Sequence, residues 1–384
     1  MFKVRSELWT ADYSMNPPTR IFATCDIGPA ALDRLREKGY AVEVYPELQP
    51  PPKALVLEKV RSGIQALITT LRDRIDEEVF AAGAQAGLKV VSQIAVGVDN
   101  IDREAANRHK IPYTHTPDVL TGATAEYAFF MLGAVARRLY PAELQVREQQ
   151  WTTWHPYLPW LGDEVTGRTL AVIGMGRIGR SMVAKAVGFD MDVLCHDASG
   201  IPLEDYVAGV QRVIDLRHAE GHASRRQTAE VVSLEDALRR ADYVSLHVPL
   251  IMPGTGGEPT YHLIDEARLR LMKKTAYLVN TSRGPVVDEA ALAKALREGW
   301  IAGAALDVYE KEPLPDDSPL RDKALEPTLR LFPHAASAAR ATRLSPDPDV
   351  GMAGRCVQGV LDVLEGRYDG DPKRMPFVVN KEAF

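Results

Sequence analysis

The sequence predicts an α/β protein built on doubly wound parallel sheets, and three observations carry that prediction. Short apolar runs of strand length alternate with helical stretches along nearly the whole chain, as expected for parallel sheets covered on both faces. The apolar run 169–173 opens into Gly174-x-Gly176-x-x-Gly179, and a second run, 191–195, closes on Asp197. At 384 residues and 46% hydrophobic composition, the chain is long enough for two domains and apolar enough for their cores.

The elements follow in order. Residues 1–18 are a poorly patterned lead-in ending in Pro17-Pro18, without the apolar core of a signal peptide. Strands are predicted at 21–25, 41–45, 66–70, 88–94 and 111–115, and helices at 29–38, 54–61, 76–84 and 101–108. The loop 95–100 lies beyond the end of a strand, where open α/β sheets bind ligands. It is either an ordinary turn or, through Gly97, a place where backbone amides face an anion. A helix at 121–135, capped by Thr121 or Thr124, has little polar face and is expected to be buried, between domains or between subunits. After a charged helix at 141–149 comes an aromatic loop with Trp151, Trp154, Tyr157 and Trp160, suited to a subunit contact or a pocket wall.

Beyond residue 169 the pattern is strand 169–173, helix 180–187 and strand 191–195. The stretch 198–232 shows little regular pattern beyond a helix at 203–216, and part of it is expected to be an insertion near the adenine end of the site. His218 and His222 have a helical metal spacing, but Gly221 and the lack of a third ligand make them solvated surface; no metal is expected. Alternation resumes with helices at 233–240, 265–272 and 289–298 and strands at 242–248, 276–280, 301–308 and 328–332, with a glycine-rich loop at 252–259. A helix at 351–364 and a short tail at 378–380 finish the chain.

The glycine turn has the order of a dinucleotide-binding unit: strand, glycines, helix, strand, acid. Gly174 permits the tight turn, Gly176 lets a pyrophosphate approach the backbone, and Gly179 lets the helix pack on the strand. The helix N-terminus offers N–H groups to phosphate oxygens, and Asp197 can accept hydrogen bonds from ribose hydroxyls.

Three polar residues stand beyond three successive strands of this half: Arg283, Glu312 and His334. Each taken alone is an ordinary loop or core residue. Together, on the edge that carries the glycine turn, they form a catalytic set. Reduction of a 2-oxo acid needs a proton donor for the developing alkoxide and a cation for the carboxylate and carbonyl. Histidine titrates near neutrality and suits the first role; a glutamate paired with it would stabilise the imidazolium and orient the ring. The planar fork of arginine suits the second role, and amides at Val96 and Gly97 would take the remaining carboxylate oxygen.

With these motifs in place the chain resembles the D-isomer-specific 2-hydroxyacid dehydrogenases, from about residue 21 to residue 380. The resemblance rests on Val96-Gly97-Val98-Asp99-Asn100, the Gly174–Gly179 turn, His247-Val248-Pro249-Leu250, Asn280-Thr281-Ser282-Arg283-Gly284, Asp307-Val308-x-x-x-Glu312-Pro313 and Pro333-His334. It implies that Arg283, Glu312 and His334 are catalytic. It places Arg177 and Ile178 at the pyrophosphate, Asp197 at the ribose, Asp307 near the nicotinamide carboxamide, and Pro249 and Thr281 along the cofactor. It implies a flavodoxin-like substrate domain made of 1–118 plus 336–384, a Rossmann NAD-binding domain at 119–335, and an active-site cleft between them. It also implies a homodimer through the helix at 124–136. Trp151-Thr152-Thr153-Trp154 is most similar to the glyoxylate/hydroxypyruvate reductase branch. The implied reaction is NAD(H)-dependent reduction of a small 2-oxo acid to the D-2-hydroxy acid, and its reverse. A phosphoglycerate dehydrogenase-like enzyme and a corepressor-like, cofactor-sensing protein are the alternatives.

Composition narrows the rest. A net charge of −6 with no basic arm gives no support to nucleic-acid binding, and no stretch has the length of a membrane span. Cys25, Cys195 and Cys356 are scattered, as in a reduced, cytoplasmic protein. Asp197 would repel a 2′-phosphate, so NAD is expected over NADP; Arg225 and Arg226 are the residues able to reverse that preference if 198–232 folds back.

Overall fold

Five short strands open the fold: β1 (Arg20–Ala23), β2 (Ala41–Val44), β3 (Ala66–Thr69), β4 (Val90–Gln93) and β5 (Tyr113–Thr114). They form an all-parallel sheet in the order β2-β1-β3-β4-β5, the flavodoxin order. Every residue of β3 and β4 is buried, as expected where helices cover both faces of a sheet. The crossovers are α1 (Pro29–Arg36), α2 (Lys53–Arg61), α3 (Glu77–Ala86) and α4 (Arg103–Arg108). Pro29 starts α1 where no N–H is needed, and Asp102 caps α4 by accepting the Ala105 N–H at 2.9 Å. The computed structural model describes residues 18–223 and 225–384; all but Pro18 of the expected lead-in lies outside the described residues.

The chain then builds a larger sheet. Its elements are α5 (Thr121–Ala136), α6 (Leu139–Arg147), β6 (Thr169–Ile173), α7 (Arg177–Gly188), β7 (Asp192–His196), α8 (Glu204–Ala219), β8 (Ala229–Val231), α9 (Leu234–Arg240) and β9 (Tyr243–Leu246). After these come α10 (Glu266–Leu269), β10 (Tyr277–Asn280), α11 (Glu289–Arg297), β11 (Gly303–Leu306) and β12 (Leu329–Leu331). The seven strands are all parallel, in the order β12-β11-β10-β9-β6-β7-β8. The order reverses between β6 and β9, which is the switch point where such sheets bind ligands.

Two expectations change here. The part of 198–232 expected to be an insertion instead belongs to the regular fold: α8 is a crossover and β8 the edge strand of the sheet, Ala229 pairing with Val193. Three residues, one of them Glu230, gave too weak a strand signal. Neither Thr121 nor Thr124 caps α5; Leu120 occupies that position without a side-chain bond. The buried face of α5, including Ala128, Phe129, Leu132 and Ala136, packs with Val172, Met182, Val279 and Ala305 in the core of its own sheet. The apolar character of α5 is therefore satisfied largely within the unit, and Phe130 is left exposed.

The last two α-helices are α12 (Arg340–Leu344), which the sequence pattern did not show, and α13 (Met352–Leu364). They return to the first sheet, where Cys356, Val357, Val360 and Leu361 pack with Ile21, Ile68 and Val90. Pro346 and Pro348 separate them and so end α12. The chain accordingly divides into two compact units, one of residues up to Val119 together with Ala339–Phe384, the other of Leu120–Ala338. No helix among the described residues is long and apolar enough to cross a membrane.

Candidate active site

The glycine turn follows β6 at the switch point. Gly174 has φ +97°, and a Cβ there would sit 2.6 Å from the His247 carbonyl carbon. A Cβ on Gly179 would come within 2.0 Å of the Gly174 oxygen, so only glycine lets α7 lie this close to the turn. Gly176, by contrast, faces open space, and it and Arg177 are exposed. The helix starts at Arg177 rather than at 180, with Gly176 as an N-cap that makes no side-chain bond. Asp197, just past β7, accepts the Met175 N–H at 2.6 Å with Oδ2 and the Ser199 N–H at 2.8 Å with Oδ1. Burial pushes its pKa up, but bonds from Ser199 and Met175 outweigh this and hold it below the usual carboxylate range. Pro249, exposed beyond β9, accepts the Thr260 hydroxyl at 2.6 Å through its carbonyl, which closes the base of the 252–259 loop.

Arg225 and Arg226 are committed elsewhere. Arg225 forks onto Asp192, at 2.7 and 3.2 Å, and bonds the Gly167 carbonyl. Asp192 is the first residue of β7, so Arg225 stands at the edge of the sheet opposite the glycine turn. Arg226 pairs with Asp215 on α8 at 2.7 Å.

Arg283, Glu312 and His334 follow β10, β11 and β12, three neighbouring strands of this sheet. The buried Asn280 sets the first loop: its Nδ2 donates to the Arg283 carbonyl at 2.9 Å, and its Oδ1 accepts from Ser282 N and Oγ. Beside it, Thr281 Oγ1 is buried without a partner, a donor left for a ligand. His334 Nδ1–H donates to Glu312 Oε2 at 2.7 Å, and the other Glu312 oxygen accepts the Tyr309 N–H at 3.1 Å. Asp307 is fully buried, and its carboxylate accepts Ala335 N–H and Ala336 N–H at 2.7 Å each. Its pKa is raised by burial, a shift those two amides only partly oppose.

The Val96–Gly97 loop lies in the other unit. Its carbonyls are held by side chains: His115 Nδ1 lies 3.0 Å from Val96 O, and Gln93 Nε2 donates to Gly97 O at 2.5 Å. Gln93 and Asn100 also exchange reciprocal amide bonds at 2.8 Å. Asn100 in turn donates to the carbonyls of Thr70 and Asp73. Sequence pattern gave no role to Gln93, His115 or Tyr309, and named Asn280 only as part of a motif. The available signal for Gln93 and Asn280 was an amide side chain at the end of a buried strand.

A glycine turn at the switch point of a doubly wound sheet, with a His–carboxylate pair on the same edge, has the form of a nicotinamide-dependent dehydrogenase. Residues 129–336 match the family described as D-isomer specific 2-hydroxyacid dehydrogenase, NAD binding domain. A glyoxylate reductase of Korarchaeum cryptofilum is 45% identical over 84% of this chain and 88% of its own length. One of Aeropyrum pernix is 44% identical over 95% of this chain and 96% of its own. The crystal structure of the TT0316 protein from Thermus thermophilus, at 40% identity, covers 94% of this chain and 99% of its own with a TM-score of 0.77. The chain belongs to the D-isomer specific 2-hydroxyacid dehydrogenase family, and it is an NAD-dependent oxidoreductase.

Proposed function

We propose that the protein reduces glyoxylate-like 2-oxo acids to the D-2-hydroxy acid with NADH, and runs the reverse reaction with NAD. The observation that carries this reading is the 2.7 Å His334–Glu312 pair on the sheet edge that presents Arg283 and the glycine turn. The unit of Leu120–Ala338 is assigned to the cofactor and the other unit to the substrate.

The residues present suit NAD. Gly174, Gly176, Arg177, Ile178 and Gly179 would hold the pyrophosphate, Asp197 the ribose, and Pro249, Thr281 and Asp307 the nicotinamide end; the open face of Gly176 and the orphaned Thr281 hydroxyl support this. When bound, the nicotinamide supplies or accepts the hydride. His334 carries the proton on Nε2, because Nδ1–H is engaged by Glu312, and delivers it to the oxygen of the substrate carbonyl. Arg283 binds the carboxylate and polarises that carbonyl. Val96 and Gly97 are assigned to the carboxylate as well, through their N–H groups.

A homodimer is part of this proposal. Phe130, Leu139, Tyr140, Trp151, Trp154 and Tyr157, on and after α5 and α6, are large apolar side chains left exposed, Trp154 at 78% and Tyr157 at 83%. Light scattering after chromatography should give the dimer mass, and Phe130→Asp should shift it toward the monomer. A cytoplasmic setting fits the three free cysteines.

The deciding experiment is NADH consumption with glyoxylate, hydroxypyruvate, pyruvate, phenylpyruvate and 3-phosphohydroxypyruvate. Glyoxylate and hydroxypyruvate should be turned over fastest. Absence of turnover with all five would sink the reading.

A further inference from the structure

Beside the Glu312–His334 pair lies a buried carboxylate that the mechanism above does not use. Glu289 opens α11 and is 8% exposed. Its Oε1 accepts the Glu310 N–H at 2.7 Å, and Glu310 Oε1 accepts the Glu289 N–H at 3.3 Å in return. The same Glu310 oxygen lies 3.0 Å from His262 Nε2. On the other side, Gly284 presses against this segment: a Cβ there would sit 1.8 Å from the Tyr309 carbonyl carbon. Gly284 directly follows Arg283, and Glu312 is two residues beyond Glu310. One short segment, Tyr309–Glu310, is thus wedged between the Arg283 loop and the Glu289 carboxylate.

Helix capping does not account for Glu289, because Asp288 already caps α11 by accepting the Ala291 N–H at 2.9 Å. Nor is the position a comfortable one for a charge. Burial pushes the Glu289 pKa up, the Glu310 N–H pulls it back, and the Glu310 and Glu312 charges push it up again. A carboxylate held under these conditions is costly unless its hydrogen bond matters.

We infer that Glu289 is a positioning residue for the Glu312–His334 pair: by gripping the Glu310 N–H it fixes the loop that aims the Glu312 carboxylate at His334. The inference rests on the catalytic reading of Glu312 and His334 given above. Glu289 touches neither substrate nor cofactor in this scheme. It acts on the chemical step through the loop.

The test uses Glu289→Met and Glu289→Ala, which remove the acceptor, and Glu289→Gln, whose amide oxygen can take the same N–H. Steady-state reduction of glyoxylate and titration with NADH are measured for each. The Met and Ala variants should lose about tenfold or more in kcat, since small misplacements near the chemistry have effects of this order. Their KM values for glyoxylate and NADH should stay within about twofold, and the Gln variant should keep kcat within about threefold of the wild type. If the Met variant fails to bind NADH, the Ala variant supplies the same comparison. Unchanged kcat in a variant that binds NADH normally would overturn the inference, as would a Gln variant as impaired as the Met variant. His334→Ala is run alongside. If it retains activity, the catalytic reading itself fails; if it is inactive while the Met variant is unimpaired, only the role of Glu289 falls.

Discussion

Asp307 holds the turn at His334 twice, once through its backbone and once through its side chain. The His334 N–H donates to the Asp307 carbonyl at 2.9 Å, and the Asp307 carboxylate accepts the N–H groups of the next two residues, Ala335 and Ala336. Between these anchors His334 adopts φ +53°, a left-handed conformation uncommon outside glycine that histidine and asparagine enter more readily than most residues. Asp307→Ala would leave the buried Ala336 N–H and the half-buried Ala335 N–H without an acceptor and release that turn. A stability loss of about 2–4 kcal/mol is expected, together with a fall in kcat larger than the change in NADH affinity. Urea unfolding and steady-state kinetics on the same preparation check both.

The Glu312–His334 bond gives a second prediction. His334→Ala should lower kcat by about 10²–10⁴, the usual range for a general acid, while NADH still binds. Glu312→Gln keeps an acceptor for Nδ1–H but removes the charge, so its loss should be smaller. Equal losses in the two variants, or near-normal turnover in His334→Ala, would contradict these roles.

Arg283 supplies a third. Its loop is fixed by Asn280, so Arg283→Lys changes the head group and not the loop. A lysine keeps the charge and loses the planar fork. Raised KM for glyoxylate and lowered kcat, with NADH affinity retained, are the expected results; a lysine variant with wild-type kcat/KM would remove the two-point contact from the mechanism.

Much of this arrangement was legible because it rests on strong local signals. Gly174, Gly176 and Gly179 mark the passage from an apolar strand into a helix, and Arg283, Glu312 and His334 each follow a strand of the same parallel sheet, so strand order alone carries them to one edge. The supporting groups were not legible. Nothing in the sequence around Asp307 says that its carboxylate closes on Ala335, or around Glu289 that it reaches Glu310, since each contact spans more than twenty residues and depends on neighbouring strands being in register. β8 was missed for a different reason: three residues with a charged middle position carry almost no pattern, and only pairing with β7 makes them a strand.

His247 gives a pH prediction. Burial lowers its pKa from 6.5 to about 4, and its Nε2 lies 2.9 Å from Ser245 Oγ. The folded protein therefore binds fewer protons than the unfolded chain between those values, so stability falls as pH drops through this window. The ring keeps some exposure, so about 1–2 kcal/mol should be lost between pH 7 and pH 5. His247→Asn should flatten that part of the profile, measured by urea unfolding of the cofactor-free protein. An identical slope in the variant would assign the pH dependence to other groups.

Cofactor choice follows from where the charges near β7 point. Asp197 lies past the carboxyl end of β7, is held ionised by Ser199 and Met175, and would meet a 2′-phosphate with like charge. Arg225, the residue able to counter this, is fixed on Asp192 at the amino end of the same strand, and Arg226 is fixed on Asp215. The wild type should therefore prefer NADH over NADPH by about a hundredfold or more in kcat/KM, a discrimination of about 3 kcal/mol that one desolvated like-charge contact can supply. Asp197→Ser should narrow the ratio by raising the NADPH value more than it lowers the NADH value. Arg225→Ala should leave the ratio unchanged and act only on stability, through the lost Asp192 and Gly167 contacts. A wild type that uses both cofactors equally, or an Arg225→Ala variant that loses NADPH activity selectively, would mean that the edge carrying Arg225 takes part in cofactor recognition.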